Sequence, residues 1–455
     1  MEGTHAAMNA PRLRTENIFQ LSWPIFVQNA THSVVVIVDF LFFSYLGDEV
    51  AGTIGQLLPV IWLGVFVIPV FAGTGVSVAS QYMGAGRHEK VVPAYMMNLL
   101  FTVGMAWSYA LGLAVFADDI GRWLGMDASL NAIATAYLGT MTGYFVFLGI
   151  LVAYNAVLSS RGMTHWLMYS AFMVGGINLV LDALFVFGFG WGVRGVVAAS
   201  IVGCAAATAL AIWLVHGKLA VRFYLRGAWR DMRGVLQPML RIGIPNAIEP
   251  ASYSLQQTFL SAMIVSMGVV SMAANSYAGR AQMFQITFAV ALALGGQILM
   301  AHWMGAGRHD DVDRVFRKAL RVAMLVALGY AGLAWVFSDV VLGFFTQDPE
   351  VLALGRQLLL VAVFLEPARA VNIIGGFSLR TVGDSRFPMI VAVIFIWGIL
   401  PVIHFVDAMW GLTLVGMWVC FAADEILRAG INLWRWRTRK WTKMGFAGRA
   451  VPGDG

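Results

Sequence analysis

Charge is scarce in this chain: Asp, Glu, Lys and Arg make up only 12% of its 455 residues. Soluble domains carry about 25%. With hydrophobic residues at 59%, there is too little polar surface to enclose an aqueous globule. Cysteine is nearly absent. Cys204 and Cys420 both fall in apolar segments, which excludes a disulfide framework or a thiolate metal site and leaves packing thiols. No GxxxxGK[ST] loop occurs to cradle a nucleotide phosphate. No catalytic constellation stands out either, so neither an ATPase nor another enzyme is expected, and no resident cofactor. The opening MEGTHAAMNAPRLRTENIFQ has no apolar stretch, so no cleavable secretory signal is expected. Short alternating segments are missing too, which excludes a closed β-barrel.

What is present is a series of long apolar runs. Roughly 20 such residues cross a bilayer as a helix. Cutting at the polar breaks predicts twelve spans, near 18–46, 52–81, 91–117, 128–156, 164–188, 193–216, 239–267, 272–302, 314–341, 350–378, 386–406 and 409–434. An even number puts both termini on one side. Most of the 30 lysines and arginines, among them Arg12, Arg14, Arg161, Lys218, Arg226 and Arg449, fall in the tails and alternate loops. The opposite loops hold only Arg122 and Arg194, with Arg356 near a helix start. The positive-inside rule then predicts that both termini are cytoplasmic; the expected location of this multi-pass protein is a plasma membrane, the inner membrane of a bacterium. The net charge of +6 is accordingly a topology signal and a contact for anionic lipid, not a nucleic-acid surface. The tail WRWRTRKWTK reads as an interfacial anchor, with tryptophans at headgroup level.

The hexapeptide MGAGRH occurs at 83–88 and again at 304–309, 221 residues later. The same offset relates Pro24 to Pro245, Gly47 to Gly268 and Gly162 to Gly383. Four collinear anchors at one spacing identify a duplicated six-helix unit. The expected division is 1–217 for the first bundle, 218–238 for a basic cytoplasmic linker and 239–455 for the second bundle with a basic tail. Because six is even, the halves are parallel. The fold class is thus all-α and polytopic: twelve transmembrane helices in two pseudo-symmetric bundles around a central cavity. That plan suits a secondary transporter working by alternating access.

Several stretches resemble the multidrug and toxic compound extrusion (MATE) family. They are the P-x14-D pattern of the first span running into FLFFSYLG, the loop QYMGAGRHEK, NLVLDALFVFGFGWGVRGVVAAS, and LRTVGDSRFP after the tenth span. The resemblance covers nearly the whole chain. It implies export of cationic or amphiphilic drugs by a monomer, in exchange for inward H+ or Na+. The nearest alternative is a lipid-linked oligosaccharide flippase of the same superfamily, which an acidic first half disfavours. Alternatives of another class are an ion channel and a non-transporting receptor.

Ionisable residues at bilayer depth are expensive and are candidates for function. In the first half only Asp39 and Asp182 lie deep, with no lysine or arginine among them. Two carboxylates without a fixed cation must bind protons or hold a mobile cation, the alternative being that each is a hydrogen-bonded structural residue. Asn178 lies four residues before Asp182 and shares its helix face; Ser200 adds a hydroxyl. Such oxygens suit a hard monovalent ion, so Na+ at Asp39, Asn178 and Asp182 is the one metal considered. These four residues match the cation-site positions of one MATE branch, where the hydroxyl is usually threonine. The resemblance also implies a backbone carbonyl near Val196. At the 221-residue offset, Asp39, Asn178 and Asp182 map to Leu260, Ile399 and Ile403, so one coupling site is expected, in the first half.

The second half holds Glu249, Arg280, Glu366 and Arg369. Either they form a structural ion-pair network, with Glu366 and Arg369 pairing directly, or Glu249 faces the cavity and attracts cationic drugs or takes part in proton coupling. Asp424, Glu425 and Arg428 read as a separate pair network. Pro24 shares its span with Asp39, so ion binding at Asp39 is expected to change that helix's bend.

Overall fold

The computed structural model describes residues 18–224 and 227–445, without the side chains of residues 48, 228, 258, 262 and 265. Arg12, Arg14, Arg226 and Arg449 lie outside the described residues. The described chain is helical, with no strand. Its helices are α1 (Ile18–Tyr45), α2 (Asp48–Gly84), α3 (Val91–Trp123), α4 (Ala128–Ser160), α5 (His165–Ala183), α6 (Gly192–Trp213), α7 (Ala228–Ser266), α8 (Val269–Gly305), α9 (His309–Val336), α10 (Ser338–Gly343), α11 (Pro349–Thr381), α12 (Arg386–Trp410) and α13 (Leu414–Arg437). All but α10 are long. Ten of the twelve long helices have the length and apolar composition to cross a membrane. α7 and α13 fall short because polar and charged residues interrupt them, Arg241 and Glu249 in one, Asp424, Glu425 and Arg428 in the other. The chain is a multi-pass membrane protein.

The repeat is visible in the boundaries. Adding 221 to the limits of α2 gives Val269–Gly305, the limits of α8; adding it to α4 gives Pro349–Thr381, the limits of α11. The turns repeat as well. In the two MGAGRH copies, Gly86 has φ of 72° and Gly307 of 71°. That left-handed backbone favours glycine and closes the helix C-terminus tightly. The second copy departs from the first where α3 runs unbroken but its counterpart divides at Phe337 into α9 and α10.

Two compact units form. Unit 1 comprises Val27–Gly243, and unit 2 comprises residues 18–26 and 244–445. In unit 1, α4 is the central helix and packs against α2, α3 and α6. Leu57, Leu113, Phe145 and Val196 make its apolar core. Gly149 lets α4 close on α3: a methyl there would stand 2.4 Å from the Ala106 side chain. In unit 2 the repeat partner of α4, α11, packs against α8, α9 and α13, around Leu260, Leu358, Ile399 and Met417.

Three details differ from the sequence reading. α7 begins at Ala228 rather than 239, so residues 228–238 of the basic segment are helical. A helix continues past the apolar run because its backbone bonds do not depend on hydropathy. The first turns of α1 group with unit 2, where Ser22 meets Gly295 and the Phe26 ring stands 5.2 Å from that of Phe284. The basic tail is the third. Trp436 and Trp441 are 3% and 0% exposed, so they are not headgroup anchors. Trp436 stacks between Phe316 (4.0 Å) and Trp441 (4.5 Å), and its Nε1 donates to Asp313 at 2.9 Å. Of the three tail tryptophans, only Trp434 is exposed. Hydropathy and charge alone do not distinguish an aromatic ring facing headgroups from one docked on a helix.

Candidate functional site

The paired acids of unit 1 come together from α1, α5 and α6. Asn178 and Asp182 are one turn apart on α5 and fully buried. Ser200 lies on α6, with Val196 one turn before it, buried in the apolar core. Asn178 Nδ2 donates to Ser200 Oγ at 3.0 Å, and Ser200 Oγ donates to Asp39 Oδ2 at 3.1 Å. Asp182 stands within electrostatic reach of Asp39. Beyond the ends of α5 and α6 the chain widens into i→i+5 turns, with Phe189 N bonded to Leu184 O and Leu219 N to Leu214 O. Such turns recur at functional sites.

The cluster is short of donors. Asp39 Oδ1, Asn178 Oδ1 and both Asp182 carboxylate oxygens are buried without a hydrogen-bond partner. The one hydroxyl hydrogen is already committed to Asp39. These four oxygens offer only lone pairs, and a buried acceptor left unmade is costly. Their chemistry fits a proton or a hard cation accepting oxygen ligands. No group of three or more His, Cys, Asp and Glu among the described residues forms a conventional metal centre. Tyr137 and Tyr144 of α4 also lie within electrostatic reach of Asp39. Sequence reading missed them, because a tyrosine in an apolar span looks like ordinary packing.

Among the described residues the second copy has no such cluster. Leu260, Ile399 and Ile403, the repeat partners of Asp39, Asn178 and Asp182, are buried together in the apolar core of unit 2. The register therefore holds along α12, and hydrocarbon packing has replaced the oxygen groups.

The MatE family profile matches the chain twice, over residues 24–184 and 245–406, starting at the two prolines 221 residues apart. The chain belongs to the MatE family. Its similarity extends over whole proteins. It is 29% identical to the uncharacterized transporter YisQ of Bacillus subtilis over 454 residues, covering 97% of this chain and 98% of that one. It is 23% identical to a probable multidrug resistance protein, NorM, of Thermotoga maritima, covering 95% and 94%. Its fold matches that of a MOP-superfamily transporter from Pyrococcus furiosus with TM-score 0.85 at 19% identity, over 94% of this chain and 97% of that one.

In unit 2 of this MatE chain, the four charges considered together in sequence separate. Glu366 is fully buried; Arg369 Nη1 bonds its Oε1 at 2.5 Å, and Gln285 donates to its Oε2. Arg369 continues to Glu425 at 3.6 Å, and Arg428 bridges Glu425 (3.1 Å) and Asp424 (2.5 Å). The two networks expected to be separate are thus one, joined by Arg369. Asn372 donates to the Glu425 carboxylate at 2.5 Å. Glu249 pairs instead with Arg380. Arg280 is exposed and joins no ion pair among the described residues. The pair joins α11 to α7, which linear spacing does not reveal.

Proposed function

We propose that this MatE chain is a secondary-active exporter that expels cationic or amphiphilic organic compounds in exchange for inward H+ or Na+. It acts as a monomer in the bacterial inner membrane, with both termini cytoplasmic, and carries out no covalent chemistry. The observation that carries the reading is the cluster of Asp39, Asn178 and Asp182 in an apolar bundle, where four buried acceptor oxygens have no partner among the described residues. An ion entering from outside would satisfy them; the same ion leaving inward would strand them again. That alternation couples the ion gradient to a change of state, each charge being worth about 2.3 kcal/mol per 100 mV. Asp39 shares α1 with Pro24, whose ring removes a backbone bond in the segment grouped with unit 2. Loading the cluster changes the bend of α1 at that point, weakening drug binding in the outward state. The names of relatives such as NorM support drugs as the substrate class.

The test is accumulation of ethidium against its own gradient in proteoliposomes, with pH and Na+ gradients imposed separately at fixed membrane potential. Uphill accumulation under one of them supports exchange. Flux that only ever runs downhill identifies a channel.

A further inference from the structure

The two units treat many of their basic residues differently. Unit 2 pairs five arginines of its basic end internally, Arg308 and Arg314 with Asp311, Arg317 with Asp313, Arg435 with Asp384 and Arg439 with Asp310, while Arg321, Arg386 and Arg437 make no ion pair among the described residues. At the corresponding end of unit 1, Arg161 and Lys218 make no ion pair among the described residues. The sequence supplies none nearby: between Asp127 and Asp231 the only acid is Asp182, deep in α5. Glu89, on the α2–α3 turn, is exposed.

Arg161 is nevertheless only 8% exposed. It caps the C-terminus of α4, and its Nε donates to Tyr95 Oη at 3.3 Å. Tyr95 Oη lies 2.8 Å from Ser160 Oγ, which donates to the Val157 carbonyl at 2.8 Å. That relay is neutral and uses only Nε. The two amino groups of the guanidinium have no acceptor among the described residues. Five residues on, Trp166 Nε1 is a buried donor without a partner among the described residues, and Lys218 Nζ sits 4.8 Å over the Trp166 ring. Burying a guanidinium without a counter-charge is unfavourable, because it loses hydration with nothing to replace it. Its planar fork matches a phosphate with two parallel bonds.

We propose that this end of unit 1 binds a phosphate group from outside the protein, with Arg161 as the bidentate clasp and Trp166 and Lys218 as flanking donors. The phosphate belongs either to the headgroup of an anionic phospholipid or to free phosphate in solution. None of the coupling-site residues takes part, so the proposal stands or falls separately from the transport reading.

Native mass spectrometry of the purified full chain, titrated with phosphatidylglycerol or phosphatidylcholine, reads the binding. Wild type is expected to hold phosphatidylglycerol more tightly than phosphatidylcholine, and Arg161→Gln to weaken it about tenfold or more. Arg161→Lys keeps the charge but loses the fork, and recovers only part. Trp166→Phe preserves ring packing, removes the buried donor and weakens binding less; with Lys218→Gln it carries the test if Arg161→Gln does not fold. Displacement of the bound lipid by inorganic phosphate, or phosphate binding in place of lipid, assigns the site to free phosphate; failure to displace assigns it to lipid. The proposal is overturned if wild type binds neither preferentially, or if Arg161→Gln, Trp166→Phe and Lys218→Gln all bind as wild type does.

Discussion

Ser200 Oγ donates its only hydrogen to Asp39 Oδ2 across 3.1 Å, tying α6 to α1 between residues 161 apart in sequence. Because that hydrogen is spent, the same oxygen can only accept from Asn178, and the remaining oxygens stay unmatched. Replacing Ser200 with alanine removes the hydroxyl that donates to Asp39. Initial rates of drug efflux in proteoliposomes are expected to fall roughly tenfold, the value of one hydrogen bond to a charged group. Ser200→Thr, which keeps the hydroxyl, retains most of the rate. Equal rates for the alanine and threonine variants would remove Ser200 from the site.

The Glu366–Arg369 pair is a matter of stability. Glu366 is fully buried, and its loss leaves Arg369 with only Glu425 at 3.6 Å. Glu366→Ala is expected to cost about 3 kcal/mol, at the low end for breaking a buried pair because Glu425 remains. Adding Arg369→Met should restore much of the loss. Thermal unfolding in detergent measures both.

The docked tail makes a local prediction. Trp441→Ala empties the pocket between His309 and Trp436, whose rings lie 6.0 and 4.5 Å from that of Trp441. Loss of a buried tryptophan costs about 3–5 kcal/mol, more than a short terminal segment withstands. Trypsin is therefore expected to cut at Lys440 and Lys443 in the variant while sparing wild type, with the spans still intact by circular dichroism.

Asp127 lies between α3 and α4 and caps α4, accepting bonds from Leu130 N at 2.9 Å and Ser129 N at 3.0 Å. The Leu130 amide above all, then the Ser129 hydroxyl, holds its carboxyl below the usual value of 3.8. A group with a lowered folded pKa contributes stability that is present above its unfolded pKa and is lost as pH falls through the folded one. The melting-temperature gap between wild type and Asp127→Ala is thus expected to be constant near neutrality and to close below about pH 4. A gap unchanged in acid would mean that the charge plays no part in the cap.

Much of this architecture is legible in the sequence, for physical reasons. Lipid demands long apolar runs, so spans can be counted. A turn that needs φ near 70° needs glycine, so Gly86 and Gly307 mark the repeat in both sequence and backbone. The acids of unit 1 stand out because so little else in their helices is charged, and the hydrogen bonds of Asp39, Asn178 and Ser200 follow the expected grouping. What stays hidden are partnerships across helices. Nothing in the spacing joins Glu249 to Arg380, 131 residues away, or Arg369 to Glu425. Nor does composition reveal that Trp441 is buried by the protein rather than exposed to headgroups.

The most direct test replaces both buried acids at once. Drug accumulation is followed in proteoliposomes containing wild type or Asp39→Asn/Asp182→Asn, with pH and Na+ gradients applied separately. Wild type is expected to concentrate ethidium under one gradient, and the double variant to concentrate it under neither while unfolding at a similar temperature. Gradient-driven accumulation in the double variant at the wild-type level would contradict the assignment of ion coupling to unit 1.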